Sequence, residues 1–343
     1  MIKKVFFTKR TIFTLAPMDG FTDCAFRELV KEYSNCDLLF TEFVNCEGLI
    51  KATNKLLNRL RYTEFQRPII AQLFGYELDY FYKASVFLCL LGFDGIDINM
   101  GCPSRNIESR GGGARLIKNR QLAIEIIKTV KKAVKNYKSN NYKIDNNLIN
   151  IAETQTKEWN IKVNKKRRIT VSVKTRIGYE KDITEDWIKY LSKSKPDFIS
   201  IHARTFKQGY KGKADWNAIK RAVKSTDIPI IANGDIISPK DIQKIVKQTK
   251  CQGVMIGRGA LGKPWILNRK QKKIYDYKFV KKIILEHAHL YLKFGRGDKF
   301  YELRKHFSKY IKCFRNARKL RSKIVRVDNM SQLIKILGTN SII

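Results

Sequence analysis

PIIANGD (229–235) and GVMIGRG (253–259) follow one design: a short unbroken apolar run that stops at glycine beside a polar or charged residue. An unbroken run, unlike an alternating one, marks a strand covered on both faces, as in parallel sheets flanked by helices. Working outward from this pair, six further runs end the same way: TLAPM (14–18), LLFTEF (38–43), PIIAQLF (68–74), GIDINMG (95–101), ITVSVKTRIG (169–178) and FISIHAR (198–204). Most are separated by stretches that read as helices. Eight successive βα units predict a closed (β/α)8 TIM barrel, with its active site at the C-terminal ends of the strands. Those ends carry Pro17 and Met18, Glu42, Gln72, Asn99 to Cys102, Lys174 and Arg176, His202 and Arg204, Asn233 to Asp235, and Gly257 and Arg258. So many polar residues at strand ends exceed what packing requires.

After Pro264 the rhythm stops. FVKKIILEHAHLYLKF and FYELRKHFSKYIKCFRNARKL space their apolar residues helically, which predicts a barrel domain over 1–268 and an all-α domain over 269–343. The polar stretch 136–168 reads as an inserted loop, either a tolerated insertion or an RNA-contacting arm. The chain of 343 residues carries a net charge of +38, and two explanations stand. One is a polyanionic partner; the other is a Lys- and Asn-rich base composition, visible in NYKSNNYKIDNN. Distribution favours the partner: residues 269–343 hold 21 Lys and Arg against 5 Asp and Glu. Basic residues interleaved with Tyr, Phe and His suit an RNA backbone and its exposed bases, although the same aromatics would also serve a helical core.

No apolar run nears the roughly 20 residues of a membrane span, and MIKKVFFTKR lacks the features of a secretory signal, so a soluble cytoplasmic protein is expected. The seven cysteines, at 24, 36, 46, 89, 102, 251 and 313, show neither CxxC pairs nor zinc-like spacing, so neither a metal nor a disulfide framework is expected.

Cys102 is the thiol in an unusual context, at a strand end before a glycine-rich loop, whereas Cys89 in VFLCLLGF reads as helix packing. Gly111 to Gly113 can act as a lid or as a tight helix start. Asn233, Gly234, Gly257 and Arg258 come together at the mouth of a barrel, where backbone amides form a phosphate nest and an arginine adds charge. Lys174 would set a cation beside an electron-rich ring, and Gln72 would bond its polar edge. This pocket suits a mononucleotide.

The ordered motifs LAPMDGFTDCAFR (15–27), DINMGCPS (97–104), GGGARLI (111–117), VKTRIG (173–178), IHARTFKQGYKG (201–212), ANGDI (232–236), GVMIGRGALGKPW (253–265) and LRKHF (303–307) resemble the dihydrouridine synthase family over nearly the whole chain, most like its bacterial B subgroup. The resemblance implies an FMN-binding barrel, a tRNA-binding helical domain, and NADPH or NADH as electron source. It makes Cys102 the proton donor and sets Pro17, Met18, Asp19, Gln72, Lys174, His202, Asn233, Gly234, Asp235, Gly257 and Arg258 around FMN. Asn99, Arg176 and Arg204 are expected to meet the extruded nucleotide. Asp19 departs from the small residue common after the Pro-Met pair, so only its main chain is expected to contribute. A monomer without a stable protein partner is expected. The rival readings are an FMN barrel acting on a small pyrimidine such as dihydroorotate, and an RNA-binding module on an inactive barrel.

Overall fold

The computed structural model describes residues 10–34, 36–103, 108, 111–270, 276–295, 297–312 and 317–338. Cys313, Ser104 and most of the N-terminal segment lie outside the described residues. Eight parallel strands form one sheet: β1 (Ile12–Leu15), β2 (Leu39–Asn45), β3 (Ile69–Phe74), β4 (Gly95–Met100), β5 (Thr170–Arg176), β6 (Ile199–His202), β7 (Ile230–Asn233) and β8 (Gly253–Ile256). Their spatial order runs β1-β8-β7-β6-β5-β4-β3-β2, and a parallel bridge between Thr14 and Leu38 brings the two ends together. This is the TIM barrel expected from the eight runs.

The first strand begins and ends earlier than the run 14–18. Ile12 to Leu15 pair with Gly253 to Ile256, and the chain leaves the sheet before Pro17, which has no amide hydrogen to give a ladder. Inside the barrel, Ile12, Leu38, Phe40, Ile70, Phe198, Ile231 and Met255 form an apolar floor, with Phe40 and Phe198 edge to face at 6.4 Å. Residues of opposite parity, such as Ile96, Ile98, Val171 and Val173, pack outward in the larger cluster that includes the surrounding helices. Burial on both sides explains the unbroken apolar runs.

The segment 136–168 differs from the expected loop. It contains the end of the helix Arg120–Lys138 and a further helix, Asn146–Glu158, whose Leu148, Ala152 and Thr156 are buried. Apolar residues at a four-residue spacing, capped by Asp145 at the Asn147 amide, suffice for a surface helix even where most other positions are polar.

Beyond the barrel, helices Tyr277–Lys293, Arg304–Tyr310, Ala317–Ile324 and Met330–Leu337 share a second core. That core also takes Cys24, Ala25 and Leu29 from the barrel helix Cys24–Ser34, together with Trp265. The helical region is therefore packed against the barrel rather than tethered to it. His287 and His306 lie at this junction, fully buried, beside Phe26. Among the described residues, no helix is long and apolar enough to cross a membrane.

Candidate active site

A cavity of about 850 Å³ opens at the C-terminal ends of the strands. Its lining includes Pro17, Met18, Asp19, Gln72, Asn99, Cys102, Lys174, Arg176, His202, Asn233, Gly234, Asp235, Gly257 and Arg258. Every residue expected to bind or react therefore meets in one place, except Arg204. The reason is the two-residue period of a strand: Gln72 and Asn233 each lie two positions beyond Ile70 and Ile231 of the floor, on the same inward face.

In β2 that period is interrupted. Phe40 pairs with Ile70, but Phe43 pairs with Gln72, so β2 carries one extra residue. The bulge brings Phe43 to the cavity wall and leaves the Glu42 carboxylate accepting from the Gly20 amide at 2.5 Å. Burial, with the charge of Asp23 adding to it, raises the Glu42 pKa to about 7.

The polar groups fall into two sets. One is buried and fully engaged. Arg176 Nε donates to Gly101 O at 2.7 Å, and its Nη1 donates to Thr205 O and Gly209 O at 2.9 and 3.0 Å. Arg204 Nη2 donates to both oxygens of Asp235 at 2.8 and 2.7 Å and to Gly212 O at 2.6 Å. Both arginines were expected to meet a nucleotide; each is 2% exposed and grips loop carbonyls, and Arg176 lines the cavity whereas Arg204 does not. They hold the loops that frame the cavity. Burial works against ionisation of Asp235, but the Ala214 amide and the Arg204 guanidinium outweigh it and lower its pKa.

The second set faces the cavity. Lys174 Nζ makes no hydrogen bond among the described residues, and burial, reinforced by the like charge of Arg176, lowers its pKa to about 8. His202 is pushed to about 2 by burial and by the positive charges of Arg176, Lys174, Arg204 and Arg258, so its imidazole is neutral. Asp19 pairs with Arg59 at the rim. Arg258, with its side chain 56% exposed, lies 4.6 Å from the centre of the Tyr210 ring, which also lines the cavity.

Beside His202 and Arg258, the ends of β7 and β8 are closely packed at their glycines. A Cβ at Gly257 would sit 3.3 Å from Met18 Sδ, and one at Gly234, whose φ is +124°, would sit 3.0 Å from the Ala214 Cβ. The mouth thus combines two glycines, an ammonium with no hydrogen bond among the described residues, and buried carboxamides. These features are compatible with a phosphorylated ring compound, for which the glycines and Arg258 offer close approach and charge and Lys174 a cation. Among the described residues, no cluster of His, Cys, Asp and Glu is arranged to hold a metal ion.

Sequence reading passed over Asp97, Phe43 and Tyr210. Asp97 had a signal, as a charged residue in the middle of the apolar run GIDINM. Phe43 had none, because only the bulge turns it inward. Lys305, from LRKHF, reaches the same mouth from the helical region: its ammonium lies 5.3 Å from the centre of the Phe21 ring, and Phe21 lines the cavity.

The family model described as dihydrouridine synthase matches residues 14–158 and 153–340. A probable tRNA-dihydrouridine synthase of Aquifex aeolicus is 32% identical over 327 residues, covering 94% of this chain and 93% of that one. One of Staphylococcus aureus is 30% identical over 339 residues, covering 96% and 92%. Among solved structures, histamine dehydrogenase from Rhizobium sp. 4-9 superposes with a TM-score of 0.53 at 14% identity. It is matched over 81% of this chain and 48% of that enzyme, a likeness of fold alone.

Proposed function

Because this chain belongs to the dihydrouridine synthase family, we propose that it is an FMN-dependent tRNA-dihydrouridine synthase that reduces the C5–C6 bond of particular uridines. The observation that carries this reading is one cavity that gathers Cys102, Asn99, Lys174 and His202 with the glycine-bearing ends of β7 and β8. The chemistry FMN supplies when bound is hydride delivery to C6 of the uracil, with NADPH or NADH as the source of electrons. Cys102 gives its thiol proton to C5, which completes the saturation of the bond and leaves a thiolate to be reprotonated from water. Asn99 and the neutral His202 offer hydrogen bonds to the ring of the base, and Lys174 supplies positive charge beside the cofactor ring.

A uracil stacked within RNA hides its C5–C6 bond, so the base must be extruded into the cavity. Lys305 at the rim ties the basic helical region to that step, a phosphate contact that a small pyrimidine substrate would not need. Arg176 and Arg204 serve by holding the loops around the cavity. In this reading the enzyme works as a cytoplasmic monomer on tRNA, without a stable protein partner.

The test is mass-spectrometric counting of dihydrouridine in unmodified tRNA incubated with enzyme, FMN and NADPH, beside free uridine with NADPH and dihydroorotate with a quinone or oxidised nicotinamide nucleotide as electron acceptor. Product in tRNA alone is expected. Turnover of dihydroorotate with unchanged tRNA would favour the small-pyrimidine reading instead.

A further inference from the structure

Beneath the cavity a chain of hydrogen bonds runs from the barrel interior to Cys102. Ser172 Oγ donates to Asp97 Oδ1 at 2.5 Å, and Gln72 Nε2 donates to Asp97 Oδ2 at 2.6 Å. Asn99 Nδ2 donates to Gln72 Oε1 at 2.9 Å, and Asn99 Oδ1 accepts from the amides of Gly101 and Cys102 at 3.0 and 2.9 Å. Asp97, Gln72 and Asn99 are all buried.

The oxygen and nitrogen ends of a carboxamide have almost the same shape, so packing does not choose between them. Here the choice is forced from both ends. Backbone amides only donate, which requires the Asn99 oxygen on the Cys102 side. A carboxylate only accepts, which requires the Gln72 nitrogen on the Asp97 side. One orientation of each amide satisfies both conditions. We infer that Asp97 is a positioning residue for the reaction: through Gln72 and Asn99, its carboxylate fixes the backbone that presents Cys102. This rests on the role proposed above for Cys102.

The consequence of Asp97→Leu can be followed group by group. Leucine is close in size and accepts nothing, so Gln72 Nε2 is left buried without its acceptor and Gln72 is no longer held against Asn99. Asn99 is then fixed from the loop side alone, and the loop loses its anchored acceptor. In Asp97→Asn/Asn99→Asp the polarity of the chain is reversed but every donor again has an acceptor: the carboxylate stands beside the loop amides and Gln72, and the carboxamide at position 97 donates to Gln72 and accepts from Ser172.

The experiment measures iodoacetamide alkylation of Cys102 by peptide mass spectrometry in the flavin-loaded full chain, alongside dihydrouridine formation. Asp97→Leu is expected to alkylate faster and turn over more slowly, each on the order of tenfold, while retaining flavin. The double variant Asp97→Asn/Asn99→Asp is expected to return alkylation to within about threefold of wild type, since its loop amides are again accepted. Wild-type alkylation and turnover in Asp97→Leu, or a double variant as reactive as Asp97→Leu, would overturn the inference. If Asp97→Leu does not fold, Gln72→Met breaks the link between Asp97 and Asn99 while leaving both in place and carries the test: faster alkylation supports the inference and an unchanged rate overturns it. A wild-type enzyme that makes no dihydrouridine would defeat the proposed function, yet the alkylation comparison would still decide whether Asp97 orders the loop.

Discussion

At the barrel mouth Asp97, Arg176 and Arg204 are buried with their polar atoms engaged, by Ser172 and Gln72 in one case and by loop carbonyls in the others. At the junction between barrel and helical region His287 and His306 are buried as deeply, but they are met mostly by rings. Their centroids are 4.7 Å apart, Phe26 lies 5.6 Å from one and 4.9 Å from the other, and Phe21 lies 5.3 Å from His306. His287 Nδ1 meets Tyr310 Oη at 3.0 Å, whereas His287 Nε2 and both ring nitrogens of His306 have no hydrogen-bond partner among the described residues. The contrast shows two uses of a buried ionisable group. The buried arginines at the mouth keep their charge because acceptors surround them, whereas the junction suppresses charge so that imidazole packs as an aromatic ring.

Four substitutions break or sharpen this contrast. The largest effect is expected at the mouth, where Cys102→Ala removes the proton donor: dihydrouridine formation should fall by roughly 10²- to 10⁴-fold with flavin retained. Wild-type turnover in this variant would remove Cys102 from the chemistry. Next, Arg204→Ala strips Asp235 of its buried partner and frees the loop carbonyls of Lys211 and Gly212. Losing one member of a buried pair costs about 3 kcal/mol, the lower end of the usual range because Asp235 is itself partly exposed, and denaturant unfolding would report it.

At the junction the sign of the pH dependence follows from burial. Burial lowers the His287 pKa to about 3, and burial with the charges of His287 and Lys305 lowers that of His306 well below its usual 6.5. The unfolded chain therefore takes up protons first. Stability is present above about pH 6.5 and is lost as pH falls below it, by about 2 kcal/mol per histidine at pH 5. His306→Phe should remove about half of that acid sensitivity while preserving the ring packing, which unfolding at pH 5 and pH 8 would measure. An unchanged pH dependence would mean that His306 takes its proton without cost.

The smallest effect is expected at Lys174, whose folded pKa of about 8 lies below its usual 10.5. The unfolded chain again binds the proton more tightly, so stability of the flavin-free protein should rise as pH climbs from about 8 to 10.5. Lys174→Met should abolish that rise, on the order of 1 kcal/mol once its exposure to the cavity is allowed for. A rise that survives the substitution would assign it to another group.

Much of this arrangement is local in origin and was therefore readable along the chain. An apolar run closed by glycine marks a two-faced strand whether or not its partners are known, and eight of them in series leave little besides a barrel. Once strand ends are identified, the mouth follows, which is why Gln72, Asn99, Cys102, Lys174, His202 and Gly257 line the cavity as expected. The helix Asn146–Glu158 escaped because its buried face is narrow and its other residues are polar. What only the tertiary structure decided is the partner of each polar group. Arg204 turns from a cavity residue into a loop anchor because Asp235 lies 31 positions on, and Asp97 gains its role from Gln72 and Ser172, 25 and 75 positions away. The bulge that swings Phe43 inward depends on the register between two strands. Periodicity is a property of neighbours in sequence, whereas hydrogen-bond pairing and register are properties of neighbours in space, and only the folded barrel brings those together.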